Sequence, residues 1–269
     1  CYPNLLGKRH HNELCTLVMP HERIRRDIRS RYPEDNADYQ KFMTSVRTAF
    51  VRDVMNHETV LLSGEFFCGF NAHEAKEFVQ ILRQLDFAEI HVLVYFREPA
   101  SLYLSQVQQR LKASASFNEP HSFLYDYLGI INCWQGLVTS FTVREFDRTR
   151  LENGDILDDY LAFVNTTLNK TLTMPDSYRR SMNESLSAAS MALLQDFRRQ
   201  FYTNRDDFFD ASTVALVKKL PEIETLTGVE AKPRLRAEVI QCIRFNHAKQ
   251  IEMLRKRFGF AWETVDHPV

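Results

Sequence analysis

The run Ile90-His91-Val92-Leu93-Val94-Tyr95-Phe96 is apolar almost throughout, and Pro99 follows it after only Arg97 and Glu98. A strand without polar alternation must be covered on both faces, which is the habit of parallel sheets. Proline cannot extend such a strand, but its fixed φ suits the first turn of a helix. Leu102, Val107 and Leu111 carry that helix onward. Upstream, Thr59-Val60-Leu61-Leu62-Ser63 reads as another short buried strand, and Ala72 to Leu85 reads as a helix with Phe78, Ile81, Leu82 and Leu85 on one face. Strand, helix and strand in that order predict a parallel βαβ unit, and with it an α/β fold.

The remainder of the chain is consistent with that class. Residues 1–33 are rich in His, Arg and Pro, and read as an irregular, surface-hugging lead-in with a short helix near Glu22 to Ser30. Phe42, Val46, Ala49, Phe50 and Val54 have helical spacing, with the helix ending near His57. A helix over Ser122 to Leu137, a strand over Ser140 to Phe146 and a helix over Ile156 to Leu168 follow. The last hundred residues are helical in pattern, in segments 184–203, 211–220 and 233–258. A single domain over 1–269 is expected, with 34–150 holding the sheet core and 151–269 mostly helical.

Lysine plus arginine and aspartate plus glutamate nearly balance, leaving a formal charge of −1, so no global field for nucleic acid exists and an anion site must be local. No apolar run approaches the roughly 18 residues of a membrane span, and no signal segment is legible. Cys1, Cys15, Cys68, Cys133 and Cys242 lack metal-type spacing, as expected of thiols in a reducing, cytoplasmic setting. The opening at Cys1-Tyr2-Pro3, with no strand before it, suggests that an N-terminal piece is missing.

Arg97 stands where a buried parallel strand gives way to a helix, the edge at which open α/β sheets bind their ligands. Helix N-termini offer unpaired N–H groups there, and a guanidinium adds paired donors matched to phosphate oxygens. Ser105, six residues beyond Pro99, is too far along to cap the helix but is placed to share an anion with Arg97. The competing reading pairs Arg97 with Glu98 and turns Ser105 to solvent.

The phrase from Tyr95 to Lys112 resembles the sulfotransferases, above all those of bacteria that modify cell-surface polysaccharides. In that family an arginine at a strand end and a serine eight positions later bind the 3′-phosphate of 3′-phosphoadenosine-5′-phosphosulfate, and the Arg97 to Ser105 spacing matches. Leu61-Leu62-Ser63-Gly64-Glu65, Phe141-Thr142-Val143-Arg144-Glu145-Phe146 and Asn183-Glu184-Ser185-Leu186-Ser187 are similar to further family segments, so the resemblance covers about residues 59 to 190. It implies a parallel sheet like that of the P-loop NTPases, flanked by helices, with a largely helical C-terminal third. The glycine-rich loop that cradles the donor's 5′-phosphosulfate is not in this sequence: Leu6-Gly7-Lys8-Arg9 lacks both its strand and its glycines. One β-loop-α unit of about 30 residues ahead of Cys1 would supply it.

The resemblance implies transfer of a sulfuryl group from that donor to an acceptor hydroxyl or amine, with a glycan as expected partner and no metal. Arg97 and Ser105 are the donor ligands, Glu65 is the candidate base, and Lys112, Asn183 and Ser185 are possible donor or acceptor contacts. Glu65 would gain basicity by partial desolvation beside the sheet, or else pair with Arg97 or cap the next helix. His57 and His73 are alternative bases. Arg23, Arg25, Arg26, Arg29 and Arg31, and the tail residues Arg234, Arg236, Arg244, Lys249 and Arg255 to Arg257, read as solvated basic faces or as a glycan-attracting surface. Two other classes stay open: a nucleotide-dependent kinase-like transferase with Glu65 on a metal, and a non-catalytic binding relative without the first phosphate loop.

Overall fold

The computed structural model describes residues 1–8, 10–29, 31–32, 37–174, 185–202, 209–228 and 231–264. The chain divides into two compact units, Cys1–Val94 with Asp126–Thr142, and Tyr95–Tyr125 with Val143–Val269. The fold is mixed α/β, with a small sheet of two parallel strands, β1 (His91–Phe96) and β2 (Ser140–Glu145). At one end Ile90 O accepts from Thr139 N at 2.9 Å, and at the other Phe96 O accepts from Phe146 N at 2.7 Å.

In the first unit, helix α2 (Ala37–Val54) buries Val46, Ala49, Phe50 and Val54. Counted from Val46 these lie three, four and eight residues on, the stripe that one helical face presents. Helix α3 (Ala72–Gln84) starts with a capping box: Asn71 Oδ1 accepts Glu74 N at 2.9 Å and Glu74 Oε2 accepts Asn71 N at 2.8 Å. Glu74 is buried, and Arg23 donates to its other oxygen at 2.8 Å. Phe78 of α3 packs with Phe67 and Phe70, and Phe70 with Trp134 at the end of α5 (Tyr127–Trp134). Helix α5 is shorter than its sequence pattern, because Pro120–Ser122 forms a separate 3-10 turn and Asp126 caps the helix through Gly129 N at 2.8 Å.

The segment Thr59 to Ser63 is not a strand, which corrects the expected βαβ unit: the parallel partner of β1 is β2, downstream of it. Its backbone pairs with the lead-in instead. Cys1 N donates to Thr59 O and Leu61 N to Cys1 O, each at 2.7 Å, and His11 N donates to Ser63 O at 2.7 Å. The lead-in is therefore no surface loop: Leu5, His11, Leu14 and Cys15 are buried in a succession of 3-10 turns, and Ile24 and Ile28 pack on Tyr39 beside the short α1 (Arg26–Arg29). The His11 ring extends the pairing, accepting Ser63 N at Nδ1 (2.8 Å) and donating from Nε2 to Pro3 O (2.9 Å).

In the second unit, α4 (Pro99–Leu111) presents Ala100, Tyr103, Val107 and Leu111 to a core completed by Phe123, Leu194, Leu220 and Ile243. The last three of these side chains come from α7 (Ala188–Phe201), α8 (Ala211–Thr227) and α9 (Ala237–Asn246), respectively. Helix α8 runs past Pro221 to Thr227, although that proline reads as a stop in the sequence. Helices α6 (Ile156–Leu168) and α10 (Ala248–Phe258) complete the unit, α10 closing on Gly259 at φ 70°, a left-handed C-cap that glycine adopts without strain. None of the five cysteines is in a disulfide, and among the described residues no helix is long and apolar enough to cross a membrane.

Candidate functional site

Arg97 follows the last residue of β1, and the neighbouring strand β2 ends level with it, so Phe146 arrives beside it. The Arg97 guanidinium carbon stands 5.7 Å from the centre of the Phe146 ring, near enough for the cation to lean on the ring's negative face. Phe146 is held in turn edge-on to Tyr95, with ring centres 6.5 Å apart. Both Arg97 and Ser105 are half-buried. Ser105 lies on the side of α4 away from the stripe of Ala100, Tyr103, Val107 and Leu111, so its hydroxyl is not spent inside that core.

The turn between β1 and α4 is tightly specified. Glu98 caps the helix, its Oε2 accepting Ser101 N at 2.9 Å, while its Oε1 accepts Nε–H of Arg244 from α9 at 2.9 Å. Arg244 also donates to Glu263. Its side chain is withdrawn from solvent, which corrects its reading as part of a solvated basic face. Burial opposes its charge, but the hydrogen bonds to Glu98 and Glu263 outweigh that and hold its pKa above the ordinary value.

Beneath the same strand ends lies Asp159 of α6, a buried carboxylate that receives Tyr95 OH at 2.6 Å, the Arg144 guanidinium, and Glu152 N at 3.2 Å. Burial works against its ionisation, but those donors and the Arg144 charge prevail and keep its pKa below the ordinary carboxylate value. Burial, and then the bond to Asp159, push the Tyr95 phenol above its usual value. A cavity of about 450 Å³ opens beside Asp159, lined by Arg144, Glu145, Arg150, Phe258 and Phe260 among others; Arg97 is not on its wall.

Lys112 is the C-cap of α4 and donates to Gln109 Oε1 at 3.1 Å, with burial lowering its pKa. Ser185 is exposed, its carbonyl accepting Lys232 Nζ at 2.6 Å, and it stands just ahead of Ser187, the N-cap of α7. Asn183 lies outside the described residues. These positions, with Arg97 and Ser105, belong to the second unit, whereas Glu65 belongs to the first. Glu65 opens a 3-10 turn, Glu65–Gly69, and its side chain is 75% exposed with Arg25 at 3.4 Å. The partial desolvation expected of it is absent, because the segment before it is not a sheet strand. His57 is exposed, and His73, also exposed, has Glu77 at 3.3 Å one turn along its helix.

The first basic cluster is largely engaged with its own unit. Arg23 reaches Glu74 and Gly69 O, Arg25 lies over the Phe66 ring at 4.2 Å, and Arg29 donates to Glu22 O at 2.7 Å. Gly7 ends the 3-10 turn Leu5–Gly7 and Lys8 follows it in extended conformation, so this Gly-Lys pair is no strand-to-helix phosphate loop. Among the described residues no group of three or more His, Cys, Asp or Glu is placed to hold a metal ion.

Sequence reasoning missed Phe146, Arg244 and Asp159. Phe146 had a signal, since two parallel strands of equal length end side by side. Arg244 had none, standing 146 residues from its partner Glu98. No protein-family model matches the chain, and neither a curated protein nor a solved structure shows significant similarity to it.

Proposed function

We propose that the chain transfers a sulfuryl group from 3′-phosphoadenosine-5′-phosphosulfate to an acceptor hydroxyl or amine, with a glycan as the acceptor class, on a fold of the P-loop type. The observation that carries this reading is Arg97 at the carboxyl end of a parallel strand, directly before a proline-opened helix that bears Ser105 eight positions on. A fixed guanidinium and a hydroxyl suit a dianionic phosphate, because they supply short charge-assisted donors without first having to be ordered. Both carboxylate oxygens of Glu98 are engaged, by Ser101 N and by Arg244.

On this reading Arg97 and Ser105 grip the 3′-phosphate, and Lys112, Asn183 and Ser185 are the further donor or acceptor contacts. The transferred group moves in line through a loose anionic transition state, so the protein's part is positioning and charge stabilisation together with a base for the acceptor proton. Glu65 is the base the reading offers; being exposed, it would depend on the bound acceptor to exclude water from it.

The test is calorimetric titration with 3′-phosphoadenosine-5′-phosphate against adenosine 5′-phosphate. Removing a charged hydrogen-bonding partner costs about 1.5–3 kcal/mol, so Arg97→Ala should weaken the first ligand by about 10- to 100-fold and leave the second unchanged. Equal binding of the two nucleotides by the unaltered chain would sink the reading.

A further inference from the structure

Glu98 is committed in two directions at once. One oxygen closes the first turn of α4 through Ser101 N, and the other receives Nε–H of Arg244, each at 2.9 Å. The side chains of Glu98 and Arg244 are 18% and 21% exposed, so this ion pair is shielded from the screening that makes surface pairs weak. Arg244 is itself fixed by a second carboxylate, Glu263. The strand side of the turn is held by the hydrogen bond from Phe146 N to Phe96 O at 2.7 Å. Arg97 therefore sits on a short link whose two ends are anchored separately, one by the sheet and one by α9.

Two physical effects of the Arg244 contact converge on Arg97. The first is geometric: with the Glu98 carboxylate fixed, the backbone between Phe96 and Pro99 has little freedom, and the Arg97 side chain leaves it toward Phe146. The second is electrostatic. An uncompensated carboxylate next to Arg97 would repel any anion that Arg97 attracts, and the Arg244 charge reduces that repulsion, its second partner Glu263 being largely exposed to solvent.

We propose that Arg244 is a positioning residue for the anion site at Arg97, acting through the Glu98 carboxylate. The inference rests on the reading of Arg97 as a phosphate ligand, and it adds a residue from a distant helix to that half-site. Arg244 touches neither donor nor acceptor in this scheme. Its contribution to binding is seen only where Arg97 and a 3′-phosphate are both present.

The experiment compares the unaltered chain with Arg244→Met, Arg244→Lys, Arg97→Ala and the Arg97→Ala/Arg244→Met pair, each checked for folding by circular dichroism. Binding of 3′-phosphoadenosine-5′-phosphate and of adenosine 5′-phosphate is titrated, and the Arg97 Nε–H resonance is followed by NMR without ligand. Arg244→Met is expected to weaken the 3′-phosphate ligand about tenfold, to spare adenosine 5′-phosphate, and to add nothing once Arg97 is alanine. Arg244→Lys, which keeps the charge, is expected to recover part of the loss. Equal weakening of both nucleotides, or an undiminished loss in the Arg97→Ala background, would show that Arg244 merely supports the fold and would overturn the proposal. If the unaltered chain does not distinguish the nucleotides, the donor reading falls and the resonance decides alone. A shift of the Arg97 signal in Arg244→Met that reverts in Arg244→Lys supports the positioning role, and an unmoved signal refutes it. Should Arg244→Met fail to fold, Glu98→Gln takes its place and is read by the Arg97 resonance alone, because removing the carboxylate also removes its repulsion of the anion; a shifted signal is expected, and an unmoved one overturns the proposal.

Discussion

Replacing Asp159 by asparagine keeps the shape of the side chain and removes its charge. The carboxylate is the shared acceptor of Tyr95 OH, Arg144 and Glu152 N, so the amide must turn a donor toward at least one of three donors. Breaking a buried ion pair costs about 3–5 kcal/mol. The Arg144 side chain is 32% exposed and regains some hydration, so the cost falls below that range, to about 2–3 kcal/mol. Tyr95→Phe removes one hydrogen bond to a charged acceptor that keeps its other donors, for about 1.5 kcal/mol. Urea unfolding at pH 7 measures both, and the pH dependence supplies a second check. Because the native pKa of Asp159 is depressed, its stabilisation is complete above the unfolded value near 3.9 and is lost as pH falls through the native value. The gap between the unaltered chain and Asp159→Asn should therefore narrow on acidification below about pH 4. A gap under about 1 kcal/mol at pH 7, or one that does not narrow, would refute the account of Asp159 as a charged hub.

His247 predicts a pH effect from a different range. Its Nε2 accepts Tyr125 N at 2.8 Å and its Nδ1–H donates to Ile243 O at 2.7 Å, and burial pushes its pKa below the ordinary value against the pull of Ile243 O and Glu98. Stability from the neutral ring is complete above about pH 6.5 and is lost as pH falls through the native pKa, so His247→Gln should flatten the melting-temperature profile between about pH 7 and 5; an unchanged slope would contradict this. Asn71→Ala removes the α3 capping box and should cost about 1 kcal/mol in urea unfolding, a loss that Asn71→Asp should largely avoid.

The elements that the sequence foretold best are those whose signals are local. Helix α4 announces itself by a proline at its first turn and α3 by Asn71 and Glu74 three residues apart, while β1 is a run too apolar to face water and β2 carries the strand-forming Phe141, Thr142 and Val143. Thr59 to Ser63 has the same local composition, yet whether a run becomes a strand depends on which backbone lies alongside it, and here that backbone is Cys1 and His11. Arg97 was legible because strand, arginine and proline are contiguous. Its surroundings were not: Phe146 comes from the next strand, and the clamp on Glu98 comes from a helix read as part of a solvated basic surface. The desolvation expected of Glu65 fails for the same reason as the segment before it, since it was inferred from a strand that does not form.

The pairing of the first residues with Ser63 runs partly through one imidazole. A strand that slips by two residues can rebuild its ladder with the same face inward. The segment from Pro3 to His11 has no such second register, because Nδ1 and Nε2 of a single ring must meet Ser63 N and Pro3 O together. Insertions or deletions there should be rejected as sharply as within a sheet, even though the stretch carries the composition of a loop. In a scan of single-residue insertions and deletions along the chain, the irregular beginning would stand out as one of its least permissive regions.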